Sequence, residues 1–364
     1  MAEVIKPWDA FELLAPPLAG AAALPGLKKG RPVSAGQLLA RHSGPGRGQV
    51  LAPVGGFILE INEREIIIER DENAVGEPPK AIDLQQMTPD ELRMALPELG
   101  LDIPLLDPAG PVIVNTLDAE AGYGFSAALF NEHRETMLAG LEAVGRLAPG
   151  VKVIWALKKA DDRVGDDESF VVAGKAYPAG LPAVLKKTIT GRFDPEARGV
   201  LDGRDLYGLG RAWRTGLPVS QMVLTLGAAS YFVPVGSRAI DLLAFANMLP
   251  KPGEAVVAGG LARGRTLSRL EQGLGRRTAA LHLKRGDGAG RPVRPCRLCG
   301  RCALACPAGL AIASVARLEP GQWLSHSFKA VYDGCILCGA CALACPAERP
   351  LLSLARLNVS GEAR

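Results

Sequence analysis

All eight cysteines of the chain lie between Cys296 and Cys345. They fall in two runs, Cys296-Arg-Leu-Cys299-Gly-Arg-Cys302-Ala-Leu-Ala-Cys306-Pro307 and Cys335-Ile-Leu-Cys338-Gly-Ala-Cys341-Ala-Leu-Ala-Cys345-Pro346. Each run reads C-x2-C-x2-C-x3-C-P, in which three thiolates can wrap one corner of an iron-sulfur cubane and the proline turns the chain away. Gly300 and Gly339 follow the second cysteine of each run, where a tight backbone can aim N–H groups at cluster sulfur. A disulfide-stapled secreted protein would spread its cysteines through the fold, so this placement argues for metal ligation in a reducing compartment. Zinc also takes four thiolates, but zinc ribbons separate two cysteine pairs by a longer loop. Two adjacent cubanes imply one-electron transfers between fixed centres, with the cysteines acting as ligands rather than nucleophiles.

The paired runs resemble those of bacterial dicluster ferredoxins. That resemblance implies a crossed ligand set, with Cys296, Cys299, Cys302 and Cys345 on cluster I and Cys335, Cys338, Cys341 and Cys306 on cluster II. The segment from Pro307 to Gly334 is longer than a minimal ferredoxin needs, and it contains Trp323, His326 and Phe328. A helix starting near Ala308 and a surface insertion account for it. Ligation by His326 is the lesser alternative, since each cubane already has four sulfurs.

The rest of the chain must position these runs. At 364 residues it is too long for one compact core, so several domains are expected. Its 42 basic and 38 acidic residues are spread along the chain, without the basic tract that would announce nucleic-acid binding. Mean hydropathy is +0.13, yet no stretch offers the roughly 18–20 apolar residues of a spanning helix. Met222 to Val235 reads as a buried strand pair, and Leu13 to Leu24 is broken by Pro16 and Pro17. Neither a signal peptide nor a transmembrane anchor is expected.

Val50 to Glu69 alternates as short strands do, with a Pro-Val-Gly-Gly bend. With Gly36 to Ala40 it looks like a barrel-sandwich hybrid, without the Met-Lys-Met tip of lipoyl and biotinyl carriers. Thr88 is an expected N-cap for a helix over Pro89 to Leu96. Val112 to Asn115, an amphipathic helix over His133 to Leu147, and Val151 to Leu157 make a βαβ unit. Its crevice would lie near Asn115, Asp118 and Glu120, which could equally cap and solubilise a loop. His133 is expected to be solvated or capping. Gly199 to Gly210 is expected to be irregular loop, and no G-x-G-x-x-G or P-loop occurs. Strands over Met222 to Ala228, Tyr231 to Gly236 and Glu254 to Gly260, with a helix over Ala239 to Asn247, suggest a β-grasp fold, and Gly286 to Gly290 a flexible linker.

In this order the parts resemble the C subunit (RnfC) of the Rnf ion-translocating electron-transport complex, a relative of the flavin-binding subunit of respiratory complex I. Val114-Asn-Thr-Leu-Asp-Ala-Glu120 is similar to the family's Asn-Gly-x-Glu-Cys-Glu-Pro turn, and Tyr177-Pro-Ala-Gly-Leu-Pro182 with Leu185 to Gly191 to its Tyr-Pro-x-Gly segment. Glu254 to Gly264 is similar to its Gly-Gly-Pro-Met-Met-Gly stretch. The resemblance implies a multidomain α+β chain. It would comprise an N-terminal arm (1–25), a barrel-sandwich hybrid (26–80), a Rossmann-like α/β domain (88–215), an SLBB-like β-grasp domain (216–285) and a dicluster ferredoxin domain (291–364). It also implies FMN held near Asn115 and Glu120, and NADH chemistry. The family's Gly-Leu-Gly-Gly-Ala-Gly-Phe-Pro loop is missing from Leu96 to Gly110, however, and its Gly, first Glu, Cys and Pro are replaced by Thr116, Asp118, Ala119 and Ala121. The nucleotide site is therefore expected to be degenerate.

The expected role is a peripheral subunit on the cytoplasmic side of the bacterial inner membrane. It would relay electrons between a soluble donor (NADH, ferredoxin or a cytochrome) and other membrane and iron-sulfur subunits. A subunit with intact NADH oxidation, or a cobalamin-reductase-like protein with the same modular plan, is the alternative. A scaffold with purely structural clusters is the non-redox one.

Overall fold

The computed structural model describes residues 5–8, 11–120, 122–158, 169–174, 177–285, 294–319, 322 and 328–359. The expected linker Gly286 to Gly290, and Trp323 and His326, lie outside them.

The centre of the chain is a parallel sheet in the order Ser169–Val172, Val153–Leu157, Val112–Asn115, Val200–Asp202. Val112–Asn115 is buried throughout, as a strand with both faces covered must be. Its neighbours are reached in opposite directions, Asn115 pairing with Ala156 on one side and Asp202 on the other. The strand order therefore reverses beside Asn115, where a crevice opens at the carboxyl ends. Helices Ser126–Glu132, Arg134–Leu147 and Gly203–Thr215 bury Leu129, Met137, Val144, Leu206 and Leu209 with Trp155 on one face. Pro182–Thr190 puts Leu185 against Ile113 and Ala156 on the other. The helix Pro89–Glu98 opens with the expected Thr88 cap, closed into a box by Glu91.

The stretch Gly199 to Gly210 is not irregular loop. Val200–Asp202 is a strand, and Asp202 caps the helix Gly203–Thr215 by accepting from the Arg204 N–H at 2.9 Å. Gly210 serves close packing: a Cβ there would sit 1.7 Å from the Thr136 carbonyl, and one on Gly140 of the facing helix 2.2 Å from the Leu206 carbonyl. Side chains at either place would push these two helices apart.

A second sheet runs Lys6–Pro7, Ala229–Pro234, Gln221–Leu226, Ala280–Arg285, Glu254–Ala258, Arg265–Thr266. The Gln221–Leu226 and Ala229–Pro234 hairpin is the expected buried pair, and Ala280–Arg285 joins parallel to its first strand. Helix Ala239–Phe245 covers the sheet, burying Leu242 and Leu243 with Leu224, Val233 and Leu281. The N-terminal residues form two smaller sheets around Val33, Leu39, Ile58, Ile66 and Ile68. Residues 6–7, 13–14 and 22–23 are strands in three different sheets, so the start of the chain ties them together.

The C-terminal module has short helices Arg301–Leu304, Ile312–Ala316 and Ala340–Leu343, then Leu351–Val359. Among the described residues no helix is long and apolar enough to cross a membrane.

Candidate metal centre

The two cysteine runs have the same backbone. Leu298 and Leu337 have φ of 53° and 51°, Gly300 and Gly339 70° and 74°, and Gly309 and Glu348 69° and 53°. One interval separates the members of every pair, so the module is a structural repeat. The left-handed glycine ends each opening loop and starts the short helix that carries Cys302 or Cys341. Sulfur is met by backbone donors: the Leu298 N–H donates to Cys296 Sγ and the Leu310 N–H to Cys306 Sγ, both at 3.4 Å.

Cys296, Cys299, Cys302 and Cys345 line one cavity of about 280 Å³, so the fourth thiol comes from the opposite run. Cys306 in turn lies near enough to Cys335, Cys338 and Cys341 for its charge to bear on each of them. Burial pushes the thiols of Cys302, Cys335 and Cys338 up, and that of Cys341 to about 12, with neighbouring thiolates adding to the effect. Crowded thiols that resist ionisation alone become ligands when a cationic centre displaces their protons. Among the described residues no three His, Cys, Asp or Glu side chains converge as they would on a single ion. The donor set and the cavity fit a cubane, which holds its thiolates apart around a larger body.

The second run is pressed against the parallel-sheet unit. Cys338 and Ala340 are buried with Leu181, and Ala119, Tyr177, Val184 and Ile336 pack around them. The Tyr177 hydroxyl donates to the Cys338 carbonyl. Lys187 Nζ donates to the Pro307 carbonyl at 2.9 Å, and Arg356 Nη2 to that of Arg263 at 2.6 Å.

The crevice residues expected from the sequence lie in that same junction. Asn115, 2% exposed, donates from Nδ2 to the Gly180 carbonyl at 2.9 Å and accepts from the Leu117 N–H at 3.0 Å. Glu120, 3% exposed, accepts from the N–H groups of Ala262 and Arg263 at 3.1 and 3.0 Å and pairs with Arg263 Nε at 2.6 Å. Asp118 caps Ser126–Glu132 through the Ser126 N–H and pairs with Lys158. Asn115 and Glu120 are thus both hydrogen-bonded to protein partners. His133 stands at the N-cap position of Arg134–Leu147 without a side-chain cap hydrogen bond; its half-buried ring packs edge-on against Tyr207 and Phe232, and burial lowers its pKa.

Two charged residues are not legible in the sequence. Arg204 stacks over Phe125 at 4.8 Å, and its Nη1 is buried with no hydrogen-bond partner among the described residues. Lys186, 4% exposed, pairs with Asp107 and Asp194 at 2.8 and 2.9 Å and anchors Pro182–Thr190. Recognising Gly203–Thr215 as a helix, from Leu206, Leu209 and Trp213 at helical spacing, would have placed Arg204 in its first turn.

These features define an iron-sulfur protein module at the C-terminus, and residues 295–349 match the family "4Fe-4S dicluster domain". The chain is similar to the C subunit of the ion-translocating oxidoreductase complex of Yersinia pestis bv. Antiqua (strain Antiqua), with 26% identity over 225 residues, covering 55% of this chain and 36% of the relative. It is also similar to the A subunit of the Na(+)-translocating NADH-quinone reductase of Glaesserella parasuis serovar 5 (strain SH0165), with 25% identity over 223 residues, covering 55% of this chain and 50% of the relative. The chain spans half or less of the length of these relatives. Among solved structures, an NAD+-reducing [NiFe]-hydrogenase in the air-oxidized state aligns with a TM-score of 0.47 at 16% identity, over 67% of this chain and 54% of that one. Similarity to the oxidoreductase's C subunit and the dicluster domain together support an iron-sulfur electron-transfer role.

Proposed function

We propose that this chain is a peripheral electron-relay subunit of an Rnf-type ion-translocating oxidoreductase, on the cytoplasmic side of the inner membrane. Cluster I is held by Cys296, Cys299, Cys302 and Cys345, and cluster II by Cys335, Cys338, Cys341 and Cys306. When bound, the clusters accept and release one electron at a time. The observation that carries this reading is the cavity in which Cys345 joins three cysteines of the other run. Its partners are a soluble donor (NADH, ferredoxin or a cytochrome) and other Rnf-type membrane and iron-sulfur subunits.

The modules follow the same reading: a barrel-sandwich hybrid around Ile58 and Ile68, a Rossmann-like unit around Val112–Asn115, and an SLBB-like β-grasp unit. The last is supported by the parallel pairing of Gln221–Leu226 with Ala280–Arg285 and by the helix after the hairpin. The nucleotide site is degenerate, because Asn115 and Glu120 hold Gly180, Ala262 and Arg263 in place. Fluorescence of flavin released from the denatured protein tests this. The expected result is no stoichiometric FMN and no bleaching by NADH; one FMN per chain and NADH-dependent bleaching would restore an intact dehydrogenase.

A further inference from the structure

The repeat places equivalent residues of the two cysteine runs in different surroundings. Around cluster II, Ile336, Cys338 and Ala340 are covered by Ala119, Tyr177, Leu181 and Val184 of the same chain. The equivalent positions around cluster I are Arg297, Cys299 and Arg301, all exposed. Leu298, beside them, is 77% exposed, where its equivalent Leu337 is partly buried; Leu304 is 87% exposed and its equivalent Leu343 64%. The second run thus meets its own chain through an apolar face, to which the first run adds Ala305. The face of the first run around Cys299 instead presents Leu298 and Leu304 among arginines.

Charge says what fits there. Arg297 and Arg317 line the wall of the Cys296, Cys299, Cys302 and Cys345 cavity, and no acidic residue lines it. Residues 294–318 include Arg294, Arg297, Arg301 and Arg317 and no Asp or Glu, and the acids flanking the wall are Glu319 and Glu348. Apolar side chains at the centre with arginine around them is the composition of a protein-docking surface. Such an excess of one sign steers a partner of the other.

We propose that this face docks a redox protein of acidic surface, and that cluster I is where electrons pass between this chain and that partner. The proposal rests on the electron-relay reading above and adds the terminal and the partner's charge. An anionic lipid surface would also suit the arginines. A redox protein is favoured because the patch is centred on an exposed ligand position, Cys299, where a one-electron centre must come close. In that step one electron leaves a cluster reduced beforehand by dithionite and enters the oxidised partner, with no bond made or broken.

The test uses the full chain, cluster-loaded under anaerobic conditions, with an oxidised flavodoxin of strongly negative charge as probe and cytochrome c as its basic counterpart. Binding to flavodoxin is expected to weaken at least about tenfold between about 20 mM and about 300 mM salt. The double variant Arg297→Glu/Arg301→Glu, and Arg317→Glu separately, should weaken it by a similar factor with iron content and paramagnetic signals unchanged. Leu304→Gln should weaken it without altering the salt dependence. Arg64→Glu, the same charge change on a distant sheet, should stay within about twofold of the parent. Cytochrome c should be bound more weakly than flavodoxin by the parent and more tightly by the reversed variants. Flavodoxin binding that ignores both salt and the reversed arginines, in protein with both clusters loaded, overturns the proposal and leaves the relay reading standing. So does binding to anionic phospholipid vesicles that the arginine variants abolish while flavodoxin fails to bind, which assigns the patch to a membrane. A chain that takes up no iron overturns the relay reading, and this proposal with it.

Discussion

The hydroxyl of Tyr177 donates a hydrogen bond to the backbone carbonyl of Cys338, joining the crevice of the parallel sheet to the second cysteine run. Leu181 and Val184 pack beside this contact, so the electron-transfer module is seated on the loop that also receives Asn115. Tyr177→Phe keeps the ring and leaves the carbonyl of a buried residue without its donor, a cost of about 1–3 kcal/mol. Hydrogen exchange at residues 337–341 is expected to quicken about fivefold or more, with cluster content unchanged. Unaltered exchange would show that the apolar contacts alone seat the module.

Cys302→Ala removes one wall of the cavity shared with Cys296, Cys299 and Cys345. Iron should fall from about eight to about four atoms per chain or lower. The second cluster should also lose stability, because the proposed crossed ligand set would tie each run to the other's site through Cys345 and Cys306. Quantitative iron analysis with paramagnetic resonance of the reduced protein checks both points. Persistence of both cluster signals would count against the crossed ligand set.

Glu120 is 1% exposed in its side chain and holds Arg263 and two backbone N–H groups of the neighbouring sheet unit. Glu120→Gln retains the shape but removes the charge, leaving Arg263 without its countercharge. Breaking a buried pair from one side costs about 3–5 kcal/mol, and the lower end is expected because Arg263 is a third exposed. Chemical denaturation should show the loss, and a change below about 0.5 kcal/mol would mean the loop is held by packing alone.

How much of this is legible in the sequence depends on the kind of signal each part carries. The cysteine runs declare their chemistry through spacing, and Val112–Asn115 or Thr88–Pro89 through burial pattern and cap. The helix Gly203–Thr215 is hidden because Gly203, Gly208 and Gly210 look like loop residues. Gly210 is instead a place where a facing helix comes too close for a Cβ, a property of the partner helix and not of local sequence. The ring contacts of His133 are hidden for a similar reason: Tyr207 and Phe232, which it packs against, are far away in the chain. Asn115 and Glu120 stand out together, but their partners at Gly180 and Ala262 to Arg263 emerge only from tertiary contact.

Lys186 joins Asp107 and Asp194, and the ammonium holds both carboxyls below their ordinary values, aided by backbone donors from Ala109, Glu196 and Arg198. Carboxyls with depressed folded values contribute stability that is present above about pH 4 and is lost as pH falls through those values. Lys186→Met should lower the melting temperature by several degrees at neutral pH, and the difference from the parent should shrink towards pH 3. A pH-independent difference would mean that the side chain acts through packing alone.

The central claim is that the eight cysteines hold two 4Fe-4S clusters that carry electrons. The direct measurement is iron, sulfide and zinc analysis of anaerobically purified protein, with paramagnetic resonance after dithionite reduction. About eight iron and eight sulfide per chain are expected, with two magnetically interacting reduced clusters. Bound zinc, no visible absorbance and no reducible signal would contradict it.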